Sequence, residues 1–253
     1  MLGDQIKAAV SAAASNLKAS MDSYKPRRAQ LEMMALATNT VIACIEAVED
    51  DDVRPGALIE APCGTGKTIG YGLPVIAAAK EAGLTVLIST ATVALQEQLI
   101  SKDLPELASS SKLQFRYKLL KGRGRYVCTS RLEDEAGAAA QSNLFDSGAT
   151  APSRSTGDDP LATSLLTSFR NGEWDGDFDT SVEPVSDADR KRLSVTSSSC
   201  AGGQCRFYEE CAFYKSRQSS KTDVFVVNHD LLLSSLMTAG STLPPLEDCI
   251  VVI

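Results

Sequence analysis

The chain has 253 residues, of which 43% are hydrophobic and 23% charged, and 25 basic against 32 acidic residues give a net charge of −7. This length supports one large domain or two small ones with a core that needs no disulfides. The negative charge argues against unselective nucleic-acid binding by the whole surface. No apolar run reaches the roughly 18 residues that span a membrane, so no membrane partner is expected.

The first twenty residues, MLGDQIKAAVSAAASNLKAS, have an Ala- and Ser-rich centre that superficially resembles an export signal. Asp4 lies where a signal would be basic, and Ser11 interrupts a short apolar stretch. The pattern therefore predicts an amphipathic helix. Without an export signal we expect a cytoplasmic protein whose seven cysteines are thiols or metal ligands rather than disulfides.

A second helix is predicted to begin just after Pro26, with Arg27 and Gln30 near its start. A glutamine amide can pair with N6 and N7 of adenine, which would favour ATP over other nucleotides. A solvated position on the helix surface is the alternative for Gln30.

A candidate phosphate loop follows. Residues 61–68, APCGTGKT, fit the pattern G-x-x-x-x-G-K-[ST], except that Ala61 replaces the first glycine. A strand is predicted at 57–60 and a helix at 67–82, and backbone N–H groups between them would surround phosphate oxygens. Lys67 would reach the β- and γ-phosphates, and the Thr68 hydroxyl would bind Mg²⁺. The predicted catalytic residues are Lys67 and Thr68, and the predicted ATP-binding residues are Arg27, Gln30, Cys63, Gly64, Thr65, Gly66, Lys67 and Thr68.

Three more strands are predicted after this loop. A strand at 84–89 precedes a Thr-rich turn and a helix from about Val93, and DVFVVNHDLLLSSL repeats the strand–helix arrangement. CIVVI, at 249–253, is rich in β-branched residues on both faces, which is typical of a central parallel strand. Strands that alternate with helices predict an α/β fold built on a parallel sheet.

About 100 residues between the second and third strand–helix units show little strand pattern and contain four of the seven cysteines. They have few apolar residues, so we predict a small inserted domain that a metal holds together. The predicted boundaries are 1–111 for the first part of the main domain, 112–222 for the insert and 223–253 for the resumed main domain. Seven basic and no acidic residues lie between 107 and 132, which would focus a polyanion or simply reflect drift in composition.

The insert ends with a cysteine trio, CAGGQCRFYEEC, at residues 200–211. Four and five residues separate the cysteines, so the C-x-x-C pair usual in zinc ribbons is absent. Three thiolates are one ligand short of a closed metal site.

These motifs together resemble one known family. KPRRAQ, EAPCGTGKT, ISTATVALQEQL, KGRGRYVC, the cysteine trio and DVFVVNHDLLL occur in the order seen in DinG-type helicases, bacterial relatives of the XPD group in helicase superfamily 2. The resemblance covers nearly the whole chain. It implies a RecA-like motor domain with a phosphate loop, interrupted by a small iron–sulfur domain, and ATP-driven 5′→3′ unwinding of DNA in repair and replication. The implied partners are single-stranded and forked DNA, D-loops and R-loops with their RNA–DNA hybrids, and a monomer is expected.

The resemblance also assigns residue roles. It makes Gln30 the adenine reader, and it puts Thr90, Thr92 and Gln96 in a motif that touches phosphates of single-stranded DNA. The Thr92 hydroxyl alternatively serves only as a helix N-cap. Family members continue from CIVVI into an Asp-Glu-x-His box and a second motor domain with an arginine finger. The chain is therefore interpreted as an N-terminal fragment that is inactive alone.

Cys128, directly after KGRGRY, supplies the fourth thiolate under this resemblance. The predicted ligands of a 4Fe–4S cluster are Cys128, Cys200, Cys205 and Cys211, although spacing alone separates iron from zinc only weakly. Lys121, Arg123 and Arg125 would offset the cluster's charge and meet DNA phosphates. Two alternatives stay open: a redox-sensing switch, and a zinc-stapled nucleotide- and DNA-binding module that unwinds nothing.

Overall fold

A computed structural model describes residues 1–21, 24–47, 55–141, 159–218, 222–237 and 243–253. The chain divides into two compact units, Met1–Leu120 with Ser220–Ile253, and Lys121–Ser219. The second unit is shorter than the insert predicted at 112–222, because the strand Tyr117–Leu119 pairs within the sheet of the first unit. None of the described helices is both long enough and apolar enough to cross a membrane.

The elements follow in chain order. The first unit begins with α1 (Leu2–Ser20), α2 (Arg28–Glu46), α3 (Lys67–Ala82), β1 (Thr85–Thr90), α4 (Val93–Gln98), a π-helical turn (Leu99–Asp103), α5 (Leu104–Ser111) and β2 (Tyr117–Leu119). The second unit contains α6 (Thr129–Gln141), α7 (Pro160–Arg170), α8 (Asp187–Leu193) and α9 (Ala212–Lys215). The first unit then resumes with β3 (Val224–Asn228), α10 (His229–Met237) and β4 (Cys249–Val252).

The first unit is built on a four-stranded parallel sheet in the order β2-β3-β1-β4. Val86 of β1 lies opposite Val224 of β3 on one side and Ile250 of β4 on the other. Alternate residues of β1 and β3 are buried in two separate cores, one on each face of the sheet. Burial on both faces is the property that distinguishes parallel sheets, and the predicted RecA-like α/β class is confirmed.

Two predictions about the strands are wrong. Residues 57–60, between Gly56 and Pro62, form no strand, and the Leu58 side chain is fully exposed. Glycine and proline on either side of so short an apolar run disfavour a ladder. CIVVI, predicted as a central strand, forms the edge strand β4 of the described sheet, which pairs only with β1 and leaves Val251 39% exposed. The predicted helices at 67–82 and from Val93 are confirmed.

The second unit has its own apolar core. Helices α6 and α7 pack together, and Trp174, Phe178 and Phe213 are buried with aliphatic residues of both helices. Gly176 has a φ of +84°, and a Cβ there would meet the Cβ of Ala212 at 2.5 Å, so the backbone requires glycine. The expectation that this segment has too few apolar residues to build a core is therefore wrong.

Candidate nucleotide and metal sites

The predicted phosphate loop is an ordered turn that leads directly into α3. Gly64 and Gly66 both have a φ of +78°, in the left-handed region that glycine adopts at little cost. The Thr65 hydroxyl donates to the Pro62 carbonyl oxygen at 2.7 Å, and Thr65 is buried. Helix α3 begins at Lys67, so its N-terminal N–H groups adjoin the loop, as anion binding requires.

Three side chains at and just before the start of α2 form hydrogen bonds that hold the loop in place. Arg27 Nη1 donates to the Gly64 carbonyl oxygen at 2.9 Å, and Gln30 Nε2 donates to the Gly66 carbonyl oxygen at 3.0 Å. Tyr24 in turn donates its hydroxyl to Gln30 Oε1 at 2.8 Å. Gln30 is only 4% exposed, and a Cβ on Gly66 would lie 2.4 Å from its Nε2 atom. Both ends of the amide are engaged with protein, so adenine reading by Gln30 stays a prediction.

Lys67 and Thr68 differ sharply in their surroundings. The Lys67 side chain is exposed and forms no ion pair with the described residues. The Thr68 hydroxyl donates to Asp103 Oδ2 at 2.8 Å, and Gln98 Nε2 donates to the same oxygen at 3.2 Å. Asp103 ends the π-helical turn between α4 and α5, a type of helix irregularity often found at functional sites.

Tyr71, one turn along α3, belongs to the same cluster. Burial raises the pKa of its phenol, the Asp103 carboxylate raises it further, and a hydrogen bond with the Thr68 side chain opposes the change. Sequence reasoning missed Asp103 and Tyr71. The segment DLPEL around Asp103 suggests only a helix start, and its contact with Thr68 joins residues 35 positions apart.

Cys63, the remaining loop residue, has an exposed thiol.

The residues predicted to contact DNA, at the end of β1 and just after it, are buried or form hydrogen bonds within the protein. Thr90 is buried and donates to the Thr92 carbonyl oxygen at 3.2 Å, and Gln96 is 5% exposed. The Thr92 hydroxyl accepts from the Leu95 N–H at 3.3 Å, which is the N-cap alternative. Contact of these residues with DNA stays a prediction.

The second unit brings the four predicted cysteine ligands to one place. Cys128, Cys200, Cys205 and Cys211 all line a single cavity of about 20 Å³. Burial raises the pKa of the Cys128 thiol, hydrogen bonds from the Ser130 and Arg131 N–H groups oppose this, and nearby Cys211 and Cys205 raise it again. The set fits a cluster held by thiolates in its chemistry, since no histidine or carboxylate lines the cavity. Among the described residues, however, no three His, Cys, Asp or Glu side chains have the geometry of a metal site.

Arg123 lies directly beside these cysteines. Its Nη1 donates to Cys200 Sγ at 3.1 Å, and its guanidinium carbon lies 3.8 Å from the centre of the Phe213 ring. Arg123 is therefore in direct contact with one of the four predicted ligands.

Lys121 and Arg125, the other two cations predicted to bind DNA, form ion pairs within their own unit. Lys121 bonds to Asp177 and Asp179, at 2.8 Å for Asp179 Oδ2, and Arg125 Nε donates to the same Asp179 oxygen at 3.2 Å. The Lys121 side chain is only 18% exposed. DNA binding by Lys121, Arg123 and Arg125 stays a prediction.

Comparison with known proteins finds relatives of this chain that carry closely similar names. The chain is 34% identical over 246 residues to the ATP-dependent DNA helicase DinG of Photobacterium profundum, which covers 97% of this chain. The chain is related to the DinG-type helicases. It is also 34% identical over 220 residues to the ATP-dependent DNA helicase YoaA of Escherichia coli, and 32% identical over 252 residues to the DinG helicase of the same species. No protein-family model matches the chain.

The shared region is only part of each DinG-type relative. The chain spans 34% of the length of the Photobacterium DinG and 30% of YoaA, about a third of the curated relatives that it matches. Both candidate sites lie within the shared region, which covers nearly the whole of this chain.

Proposed function

We propose that the chain forms the phosphate-loop part of an ATP-dependent DNA helicase motor. The observation that supports this most directly is the loop itself, which opens α3 beside a parallel sheet and is held by Arg27 and Gln30. The DinG and YoaA relatives carry the name ATP-dependent DNA helicase.

The loop offers four kinds of contact to a nucleotide. Backbone N–H groups around Gly64 and Gly66, with the N-terminus of α3, attract phosphate oxygens, and Lys67 extends from the same turn. Thr68 would hold Mg²⁺, with Asp103 orienting its hydroxyl. When bound, Mg²⁺ neutralises charge on the phosphates.

Replacement of Lys67 tests this assignment. In the full-length protein we expect Lys67→Ala to lower ATP turnover by ~10²-fold or more, because the transferring phosphoryl group loses its main side-chain cation. The matched control is Lys18→Ala, an exposed lysine on α1 that should leave turnover unchanged. Near-normal ATPase activity in Lys67→Ala would refute the site.

We further propose that Lys121–Ser219 is an iron–sulfur domain with a 4Fe–4S cluster on Cys128, Cys200, Cys205 and Cys211. The shared cysteine cavity and the Arg123–Cys200 contact support this. Metal analysis of protein purified without oxygen distinguishes iron from zinc. Zinc in place of iron would favour the metal-stapled binding module, and DNA affinity that differs between oxidised and reduced cluster would favour the redox switch.

We also propose that the whole protein is a cytoplasmic monomer that unwinds forked DNA, D-loops and R-loops with 5′→3′ polarity. Its likeness to the named helicases supports this. Unwinding of duplexes with a 5′ tail, compared with matched duplexes with a 3′ tail, tests the polarity.

A further inference from the structure

The second unit contains a cavity of about 320 Å³ apart from the cysteine cavity. Three cations line it, Arg123, Arg131 and Lys191, together with a hydroxyl-rich segment at residues 194–199. No carboxylate is among its lining residues. The size is at the lower end of the roughly 300–1,000 Å³ that ligand pockets occupy.

The cavity cations differ from several other described cations of the unit in their partners. Lys121, Arg125, Arg170 and Arg192 all form ion pairs with aspartate or glutamate. Arg123, Arg131 and Lys191 form none with the residues that the structure describes. Arg131 and Lys191 therefore face no carboxylate among the described residues, although the surrounding sequence is rich in acidic residues, whereas Arg123 lies against the thiol of Cys200.

Two of these cations are held in place by contacts within the unit that involve no carboxylate. Arg131 Nη1 donates to the Ser194 carbonyl oxygen at 2.7 Å and to that of Arg192 at 3.1 Å. Arg123 stacks on Phe213, and its Nε atom is buried without a hydrogen-bond partner in the described residues. Two guanidinium groups are thus held in fixed positions, and neither forms an ion pair with a described carboxylate. Such groups form a preorganised site for an anion.

The segment at 194–199 adds hydroxyl donors. The Ser199 Oγ accepts from the Thr196 N–H at 3.0 Å and lies 2.9 Å from Thr196 Oγ1. These contacts order the segment, while Thr196 and Ser199 stay exposed. Hydroxyls and guanidinium groups together are the donors that phosphate oxygens accept from.

We propose that this cavity binds a phosphate group, carried by the backbone of a nucleic-acid strand. That the ligand contains a phosphate group is inferred from the lining of the cavity alone. That the phosphate belongs to a nucleic acid rests on the proposed function. Lys121 and Arg125 form ion pairs with Asp179. We therefore assign the phosphate contact to Arg131 and Lys191 instead of to Lys121 and Arg125.

The test compares two exposed lysines in the 253-residue chain. Lys191→Glu reverses a charge at the cavity, and Lys215→Glu makes the same change on α9, away from the cavity lining. Affinity for a fluorescein-labelled oligothymidylate is measured by anisotropy at several salt concentrations. Binding of inorganic phosphate is measured separately by phosphorus NMR. Emission of Trp174, the single tryptophan of the chain, reports whether the unit is folded.

We expect Lys191→Glu to weaken oligothymidylate binding roughly tenfold and to lower the salt slope by about one phosphate contact, with Lys215→Glu close to the parent. Loss of inorganic phosphate binding alone would support the phosphate site and assign it to a free phosphate. Unchanged binding of both probes, with unchanged Trp174 emission, would overturn the proposal. A parent chain that binds phosphate but no oligothymidylate would count against the proposed function instead. Where Lys191→Glu alters the emission, Ser197→Asp, which puts a negative charge on the exposed lining segment, replaces it.

Discussion

Thr68 donates its hydroxyl hydrogen to Asp103, and this leaves the oxygen lone pairs available to a metal ion. The carboxylate also places a negative charge close to where a divalent cation would bind. Asp103 therefore acts as a positioning residue for Thr68, while Gln98 fixes the carboxylate in turn.

Asp103→Asn keeps an acceptor oxygen for Thr68 and removes the charge. We expect affinity for a fluorescent ATP analogue to fall roughly fivefold with Mg²⁺, which corresponds to about 1 kcal/mol of lost charge attraction. Affinity in EDTA should not fall, because the phosphates themselves are negative. Glu97→Gln, an exposed change on α4, is the control. An equal loss with and without Mg²⁺ would mean that Asp103 only supports the loop.

The sequence pattern identifies the residues of the loop, but it does not show which distant side chains form hydrogen bonds or ion pairs with the predicted site residues. The turn before α3 was predictable because the glycine pattern fixes the local backbone, and the roles of Lys67 and Thr68 stay predictions. Gln30, for which adenine reading stays a prediction, forms hydrogen bonds with Gly66 and Tyr24 through its amide. Lys121, for which DNA contact stays a prediction, forms an ion pair with Asp179, 58 positions away. Charge pairing between distant residues leaves no local pattern, so it could not be predicted.

At the scale of elements, Asp179 is the centre of an ion-pair network in the second unit. It accepts from Lys121, Arg125 and Arg190. Burial raises the pKa of Asp179, but the hydrogen bonds from these three cations outweigh burial and hold the pKa well below its usual value. A depressed pKa in the folded state means that the carboxylate contributes stability above its unfolded pKa of about 3.9, and loses it as pH falls further.

We expect Asp179→Asn to lower the free energy of unfolding of this unit by about 1–3 kcal/mol at pH 7. The difference from the parent should narrow as pH falls below about 4, because the Asp179 carboxylate of the unfolded parent chain then binds a proton and this favours unfolding. Urea unfolding followed by Trp174 emission measures this, since the indole is buried and donates to the Asp177 carbonyl oxygen. Asp134→Asn, which removes one exposed ion pair with Arg206, should have a far smaller effect. A difference that stays constant with pH would rule out the ion-pair account.

We expect the irregular segment that carries three of the cysteines to depend on the proposed cluster more than the helices do. We expect Cys205→Ser to remove iron and its brown absorbance and to make residues 195–211 sensitive to protease. Trp174 emission should stay that of the parent, because its core consists of apolar side chains. Cys44→Ser, on α2 in the other unit, should keep the iron. Iron retained in Cys205→Ser would exclude Cys205 as a ligand.

At the scale of the whole molecule, the described chain contains one parallel sheet with one phosphate loop. A motor of the proposed kind hydrolyses ATP between two RecA-like domains, and an arginine from the second is worth roughly 10³–10⁵ in rate in GTPases. We expect residues 1–253 alone to bind ATP weakly, with an ATPase rate at least ~10³-fold below the full-length protein and no stimulation by DNA. ATP turnover that rises with added single-stranded DNA would contradict the two-domain mechanism.

The fold was predictable to the extent that its elements have local signatures. The alternation of strands and helices gave the parallel sheet, and the loop pattern gave the start of α3. The position of β4 at the edge was not predictable, because a β-branched strand has the same composition at the edge as in the centre. The core of the second unit was missed because its aromatic residues are widely spaced along an acidic segment.

A hydrogen bond joins Ser89 at the end of β1 to His229 at the start of α10, across 140 positions of the chain. Ribosomes add about 5–20 residues per second, so β1 is made roughly ten seconds before the residues that flank it. The whole second unit is synthesised in that interval, and its contacts are mostly among its own residues. We therefore expect the cysteine-bearing unit to fold first on the ribosome. Until β3 and β4 are made, β1 has no described strand to pair with and its Leu87 face lacks its packing partners, so this part of the chain should depend on chaperones.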